Sequence, residues 1–221
     1  MEQRRDSATA YIILADGFET IEALTPLDVL RRCGVEVTTI SLNKTRSVRS
    51  SHGVTVEADA TMEDFMHNCN CCASGTGTGT STSNAGTSSS AGSSTTASSA
   101  VRQALILPGG YPGYKNLCES AEVGALITQF HKEGKLLCAI CGAPTALKAN
   151  QICRGAAITC HTSVKEELSD YYSILSSAVV KYMNIITGMG AGRSLDFAFA
   201  IAESLTSKEK VEEIKAKMEI I

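Results

Sequence analysis

No stretch of this sequence approaches the roughly 20 consecutive apolar residues that a membrane-spanning helix requires. The N-terminal MEQRRDSATA is polar, and the YIILA that follows it is too short for the core of a signal peptide. Neither export nor membrane insertion is expected. An excess of positive charge is also missing: 20 Lys and Arg stand against 23 Asp and Glu, giving a formal net charge of −3, so nucleic acid is not expected as a primary partner. No phosphate loop of the form G-x-x-x-x-G-K-[ST] occurs, which leaves kinase-type chemistry without support. Nine cysteines are an odd count, and the loop-rich framing of a disulfide scaffold is absent. Cys33, Cys118, Cys138, Cys141, Cys153 and Cys160 sit in apolar or helical contexts, which points to a reducing, cytoplasmic compartment. Cys69, Cys71 and Cys72 in NCNCC have only His67 nearby and lack the paired spacing of a zinc site, so they read as exposed thiols. Neither metal nor other cofactor is expected.

What the 221 residues do contain is an alternation of two periods. Short apolar runs at YIILA, VEVTTISL, QALILPGG, KLLCAI, AAITC and NIITGMG suit buried parallel strands. Between most of them lie segments of helical spacing. Ile21, Leu24, Leu27, Val29 and Leu30 would line one side of a helix ending before Gly34, and Val123, Leu126, Ile127 and Phe130 one ending before Gly134. The pattern is that of an α/β fold with helices on both faces of a sheet. SLDFAFAIAESL reads as a buried helix, and KEKVEEIKAKM as an amphipathic one at the surface or at a dimer contact. Residues 1–10 are expected to form a polar extension and residues 11–221 a single domain. Residues 73–100, rich in Ser, Thr and Gly and without a charge or an aromatic ring, read as a disordered insertion in a helix-to-strand connection.

One segment carries chemistry. In KLLCAICGAPTAL, a buried strand runs into Cys141, Gly142 allows a tight turn, and Pro144 fits only the first turn of a helix. Cys141 is then on an elbow above the carboxyl edge of the sheet, where the helix N-terminus should favour the thiolate. The competing reading is a small buried core residue, as for Cys138 and Cys160. In LILPGGYPG, Gly109 and Gly110 follow a strand and offer N–H groups able to hold an oxyanion. In LADGFETIEALTPL, Asp16, Glu19 and Glu22 lead into a helix, where acidic residues commonly act as caps.

Taken together, GFETIEALTPLDVLRRCG, ALILPGG, AICGAPTAL, ITCH and GRSLDFAFAIAESL resemble the ThiJ/PfpI superfamily, in the branch of the Parkinsonism-associated protein deglycase and its bacterial relatives. The resemblance covers nearly the whole chain outside the insertion and the first ten residues. It implies a flavodoxin-like three-layer sandwich with a mostly parallel sheet, a homodimer, and a nucleophile elbow. It places the nucleophile on Cys141, the buried protonated glutamate on Glu22, a nearby histidine on His161, and the turn glycines on Gly109 and Gly110, which with Gly142 beside the nucleophile are the expected oxyanion or substrate-binding positions.

The implied activity is cofactor-independent processing of 1,2-dicarbonyls: methylglyoxal to lactate without glutathione, or removal of early dicarbonyl adducts from protein side chains. The alternative is an oxidative-stress sensor or redox-regulated chaperone switched by oxidation of Cys141. A PfpI-type peptidase would carry histidine where Gly142 stands, and a glutamine amidotransferase would need a His-x-Glu pair where His161 is followed two residues on by Ser163. The chain departs from the branch at Thr162, where proline is expected, at Thr20, where many relatives are acidic, and at GMGAGRS. There Arg193 is a candidate to supply a displaced positive charge.

Overall fold

The computed structural model describes residues 8–68 and 102–220. The insertion at 73–100 and Cys69, Cys71 and Cys72 lie outside them. In chain order the elements are β1 (Thr9–Leu14), α1 (Thr20–Arg32), β2 (Glu36–Ser41), β3 (Ser47–Arg49), β4 (Thr55–Glu57), β5 (Ala60–Thr61), α2 (Met62–Asn68), β6 (Gln103–Leu107), α3 (Gly113–Glu119), α4 (Ala121–Lys132), β7 (Leu136–Ile140), α5 (Pro144–Ala149), β8 (Ala157–Ile158), α6 (Lys165–Leu168), β9 (Ser173–Ile174), β10 (Val179–Tyr182), β11 (Ile185–Gly188), α7 (Ser194–Leu205) and α8 (Lys208–Lys217). The first strand begins at Thr9, so two residues read as extension belong to the sheet.

Seven strands form one sheet in the order β10-β11-β7-β6-β1-β2-β5, parallel except for the antiparallel edge pair β10–β11. Successive side chains of a strand point to opposite faces, and here both faces are covered. Ile12, Leu14, Ile106 and Ile140 pack with Leu30 of α1 and Phe197 and Ile201 of α7. Ile13, Leu105, Leu107 and Ala139 pack with Val123, Ile127 and Phe130 of α4 and Ala146 of α5. Double coverage is why β6 and β7 read as continuous apolar runs rather than alternating ones. The α/β sandwich expected from the sequence is the fold observed.

Two expectations are corrected, and one hairpin was not foreseen. AAITC contributes only β8, which pairs in parallel with β9 in a separate two-stranded ribbon and not with the main sheet. The buried face of α1 is rotated by about one residue: Ile21 is 48% exposed, whereas Glu22 is fully buried alongside Ala23, Pro26, Val29 and Leu30. The hairpin β3–β4 had no apolar signature, because among its residues only Val48 is fully buried. Among the described residues, no helix is long and apolar enough to cross a membrane.

Candidate active site around Cys141

The site forms where β1, β6, β7 and β11, four neighbouring parallel strands, end. Cys141 directly follows β7 and sits at φ 65°, a left-handed conformation that a side chain other than glycine adopts at a cost of order 1–3 kcal/mol. Surrounding bonds hold it there. Its N–H donates to the Gly188 carbonyl at 3.0 Å, its carbonyl accepts from His161 N–H at 2.9 Å, and Ala143 N–H reaches back to Ile140 at 3.0 Å. Pro144 then occupies the first turn of α5, where its missing N–H removes no helical bond. The sulfur is left half-buried at the carboxyl edge.

Glu22 arrives from the first turn of α1. Glu19 caps that helix, accepting from Glu22 N–H at 2.8 Å, so the cap reading of Glu19 holds. Pro26 cannot donate to the Glu22 carbonyl, which frees the first turn of α1 from one helical bond. The Glu22 carboxyl is completely buried. Its Oε2 accepts from Gly109 N–H at 2.9 Å, and its Oε1 has no hydrogen-bond partner. A buried oxygen left unsatisfied is far less costly on a neutral acid than on an anion. Accordingly, burial raises the Glu22 pKa from 4.5 to about 7. The Glu19 charge adds to the rise, while contacts with the Cys141 thiol and Gly109 N–H oppose it.

The thiol does not behave as its elbow position suggested. Burial, followed by the adjacent Glu22 charge, pushes Cys141 up to about 12, and only the N–H groups of Gly110 and Gly142 favour the thiolate. The helix behind it has six residues, too short to reverse that balance. The two groups are coupled, however. Once Glu22 carries a proton, its charge no longer raises the thiol, so protonation of the carboxyl and ionisation of the thiol favour each other.

Gly109 and Gly110 are required by close approach. A methyl on Gly109 would lie 2.7 Å from both Cys141 Cβ and Glu22 Oε2. Gly110, at φ 89°, would place one 2.3 Å from Glu19 N. Of the three glycines expected as oxyanion or substrate-binding positions, Gly110 and Gly142 face the sulfur with their N–H groups, while Gly109 N–H is taken by Glu22. His161 is exposed, and its Nδ1 accepts from Ser163 N–H at 3.2 Å, which leaves the proton on Nε2. Its ring reaches the site. A methyl built on Gly190 would stand 3.5 Å from His161 Cδ2 and 4.0 Å from Glu22 Oε1.

The residues where the chain departs from the expected pattern lie outside this constellation. Thr20 Oγ1 donates to Ser50 Oγ at 2.9 Å, and Thr162 opens a short turn capped by His161. Arg193 does not supply charge to the sulfur: it pairs with Asp196 at 3.6 Å and lines a groove with Phe199 and Lys208. Asp16 accepts from Arg49 N–H at 2.9 Å. A groove of about 910 Å³ bordered by Cys118, Gly124, Thr128 and Asn150 shares no residue with the Cys141 site. The contribution of Gly190 went unnoticed in the sequence, although the glycines packed into GMGAG signalled close backbone approach there.

Comparison with known proteins agrees with this geometry. Residues 8–204 match the model of the DJ-1/PfpI family. The chain is 32% identical over 209 residues to protein dj-1beta of Drosophila melanogaster, covering 94% of this chain and 95% of the relative. The crystal structure of that fly protein matches with a TM-score of 0.79, at 31% identity, over 97% of this chain and 99% of the other. The Parkinson disease protein 7 homolog of Danio rerio is 30% identical, with 95% of each chain covered. A Caenorhabditis elegans protein named glutathione-independent glyoxalase DJR-1.2 is 38% identical over 107 residues, covering 48% of this chain and 56% of that one. A family model matched over residues 8–204 and relatives matched over nearly their whole length show one thing: the chain belongs to the DJ-1/PfpI family.

Proposed function

We propose that the protein is a glutathione-independent glyoxalase that converts small 1,2-dicarbonyls to 2-hydroxyacids, with Cys141 as nucleophile and Glu22 as acid and base. The observation that carries this reading is the convergence of Cys141 and a buried carboxyl on Gly109: a methyl built there would lie 3.0 Å from Cys141 Sγ and 2.7 Å from Glu22 Oε2, and burial raises the Glu22 pKa to about 7. A general acid and base works best when its pKa is near the working pH. The glyoxalase name of the worm relative supports the same reaction class.

The steps follow from the geometry. Glu22 carboxylate takes the thiol proton as the sulfur adds to the aldehyde carbon of methylglyoxal, and the proton passes to the new hydroxyl, giving a hemithioacetal. Glu22 then removes the C1 proton to form an enediol and returns it to C2. The aldehyde carbon is oxidised to a thioester as the ketone carbon is reduced, so no external electron acceptor is needed. Water releases lactate and restores the thiol. In this reading Gly110 and Gly142 N–H stabilise the sulfur and the His161 ring holds a substrate oxygen. Removal of dicarbonyl adducts from protein side chains would use the same addition step.

The test is chiral lactate formed from methylglyoxal without glutathione by the wild type, Cys141→Ser and Glu22→Gln. Multiple turnovers by the wild type, reduced at least about 100-fold in both variants, are expected. Absence of lactate from the folded wild-type protein refutes the proposal. The same donors also suit a sulfinate on Cys141, which favours oxidation sensing as a second reading. Peroxide titration with peptide mass spectrometry checks it, and oxidation no faster at Cys141 than at Cys118 counts against it. The expected homodimer would cover Ile21 and Val54, which are 48% and 45% exposed on neighbouring elements, and light scattering reads its mass.

A further inference from the structure

The approach to Cys141 carries two tyrosines that the reaction itself does not use. Tyr111 follows Gly110, whose N–H faces the sulfur, and its side chain is 72% exposed. Tyr114 lies against the residue after the nucleophile: a methyl on Gly142 would fall 2.7 Å from the Tyr114 ring. The two ring centroids are 6.3 Å apart with planes inclined at 57°. Lys115 Nζ stands 5.3 Å from the Tyr114 centroid and 3.5 Å from the Glu167 carboxylate, so Tyr114 is packed between Gly142 and a fixed cation. Tyr111 is therefore the open ring of the pair, with Tyr114 behind it.

Methylglyoxal gives such a ring little to bind. In a 1,2-dicarbonyl the substituent sits on the carbon next to the one attacked by sulfur, so it projects only two bonds from the new C–S bond. An aryl group there is what an open ring beside the sulfur could hold, since aromatic rings attract one another at roughly 4.5–7 Å between centroids. We infer that Tyr111, backed by Tyr114, is a specificity-determining residue that turns the site toward aryl-substituted 1,2-dicarbonyls, phenylglyoxal being the simplest. This rests on the glyoxalase reading of Cys141. The steps are unchanged and balance as before: phenylglyoxal and water give mandelate, the aldehyde carbon being oxidised and the ketone carbon reduced.

The experiment measures kcat/KM for phenylglyoxal and for methylglyoxal and reads their ratio in the wild type, Tyr111→Ala, Tyr111→Phe and Tyr182→Ala, the last altering a surface tyrosine on the edge strand β10. A drop in the ratio of about fivefold in Tyr111→Ala, the size of one aromatic contact, is expected. Retention in Tyr111→Phe and in Tyr182→Ala is expected with it. An unchanged ratio in Tyr111→Ala overturns the inference while leaving lactate formation, and with it the proposed function, intact. If the wild type forms no hydroxyacid at all, the proposed function fails on its own terms. The preference is then read without turnover, as protection of Cys141 from limiting iodoacetamide by phenylglyoxal against methylglyoxal, followed by peptide mass spectrometry. Equal protection by the two aldehydes overturns the inference, and stronger protection by phenylglyoxal that is lost in Tyr111→Ala upholds it.

Discussion

Replacing Glu22 with glutamine tests the electrostatics of the site apart from any substrate. The amide keeps an oxygen to accept from Gly109 N–H but cannot ionise. In the wild type, a carboxyl with a pKa of 4.5 when exposed is raised to about 7 by burial. The folded protein thus binds more protons than the unfolded chain between those values, and stability must fall as pH rises through that window. Below pH 4.5 both states hold the proton and the penalty is absent; above 7 it is complete. At 1.36 kcal/mol per pH unit the loss amounts to about 3 kcal/mol. Cys141 is raised from 9.0 and so titrates above the window. The remaining ionisable groups are common to both proteins and cancel in the difference. Urea unfolding of wild type and Glu22→Gln at pH 5 and pH 8 should show the variant gaining about 2–3 kcal/mol relative to wild type at the higher pH. A difference independent of pH would refute the buried-acid argument, whatever the variant does to activity.

Other consequences are local. Gly109→Ala brings a methyl to 2.7 Å from Cys141 Cβ and Glu22 Oε2, so it should lower stability by about 1–3 kcal/mol and reduce lactate formation more than a remote destabilising change of equal size; thermal melts paired with lactate assays decide it. Tyr172 is 5% exposed and donates to the Ile152 carbonyl at 2.7 Å, and Tyr172→Phe should cost about 1–2 kcal/mol in urea unfolding without altering turnover per folded molecule. Ser120 accepts from Val123 N–H at the start of α4, and Ser120→Ala should cost about 1 kcal/mol by the same measurement.

The parts legible in the sequence are those where one physical rule acts alone. Strands β6 and β7, buried on both faces, had to be apolar throughout, and α4 shows its buried Val123, Leu126, Ile127 and Phe130 at helical spacing. The elbow at Cys141 was legible because Gly142 and Pro144 have narrow backbone uses. Helix α1 misled because its innermost residue is charged by type. Any hydropathy rule turns Glu22 outward and Ile21 inward, and only the neutral, buried acid reverses that. The thiol misled for the same reason: the pull of a helix end can be inferred locally, but burial of the sulfur and the charge of Glu22, 119 positions away in the chain, outweigh it. Which glycine N–H faces the sulfur is likewise settled by tertiary approach.

The site is a consequence of strand order more than of any single motif. Because β1, β6, β7 and β11 are neighbours running the same way, the loops that leave their carboxyl ends must converge. Those loops bring Glu22, Gly109 with Gly110, Cys141, and Gly190. Gly109, Gly110, Cys141 and Gly190 lie within three residues of their strands and Glu22 in the first turn of α1, so their positions are set by sheet register and not by long flexible connections. The segment that begins after Asn68 rejoins the described chain at Arg102, immediately before β6, hence at the amino edge of the sheet. There the Arg102 guanidinium donates to the Thr206 carbonyl at 2.9 Å, just beyond the end of α7. The five residues of β6 separate that edge from Gly109 by roughly 17 Å. Variation in the length or composition of that connection therefore enters the fold at the end opposite the chemistry. The carboxyl-edge loops remain short and glycine-rich, because a single methyl added at Gly109 meets Cys141 and Glu22.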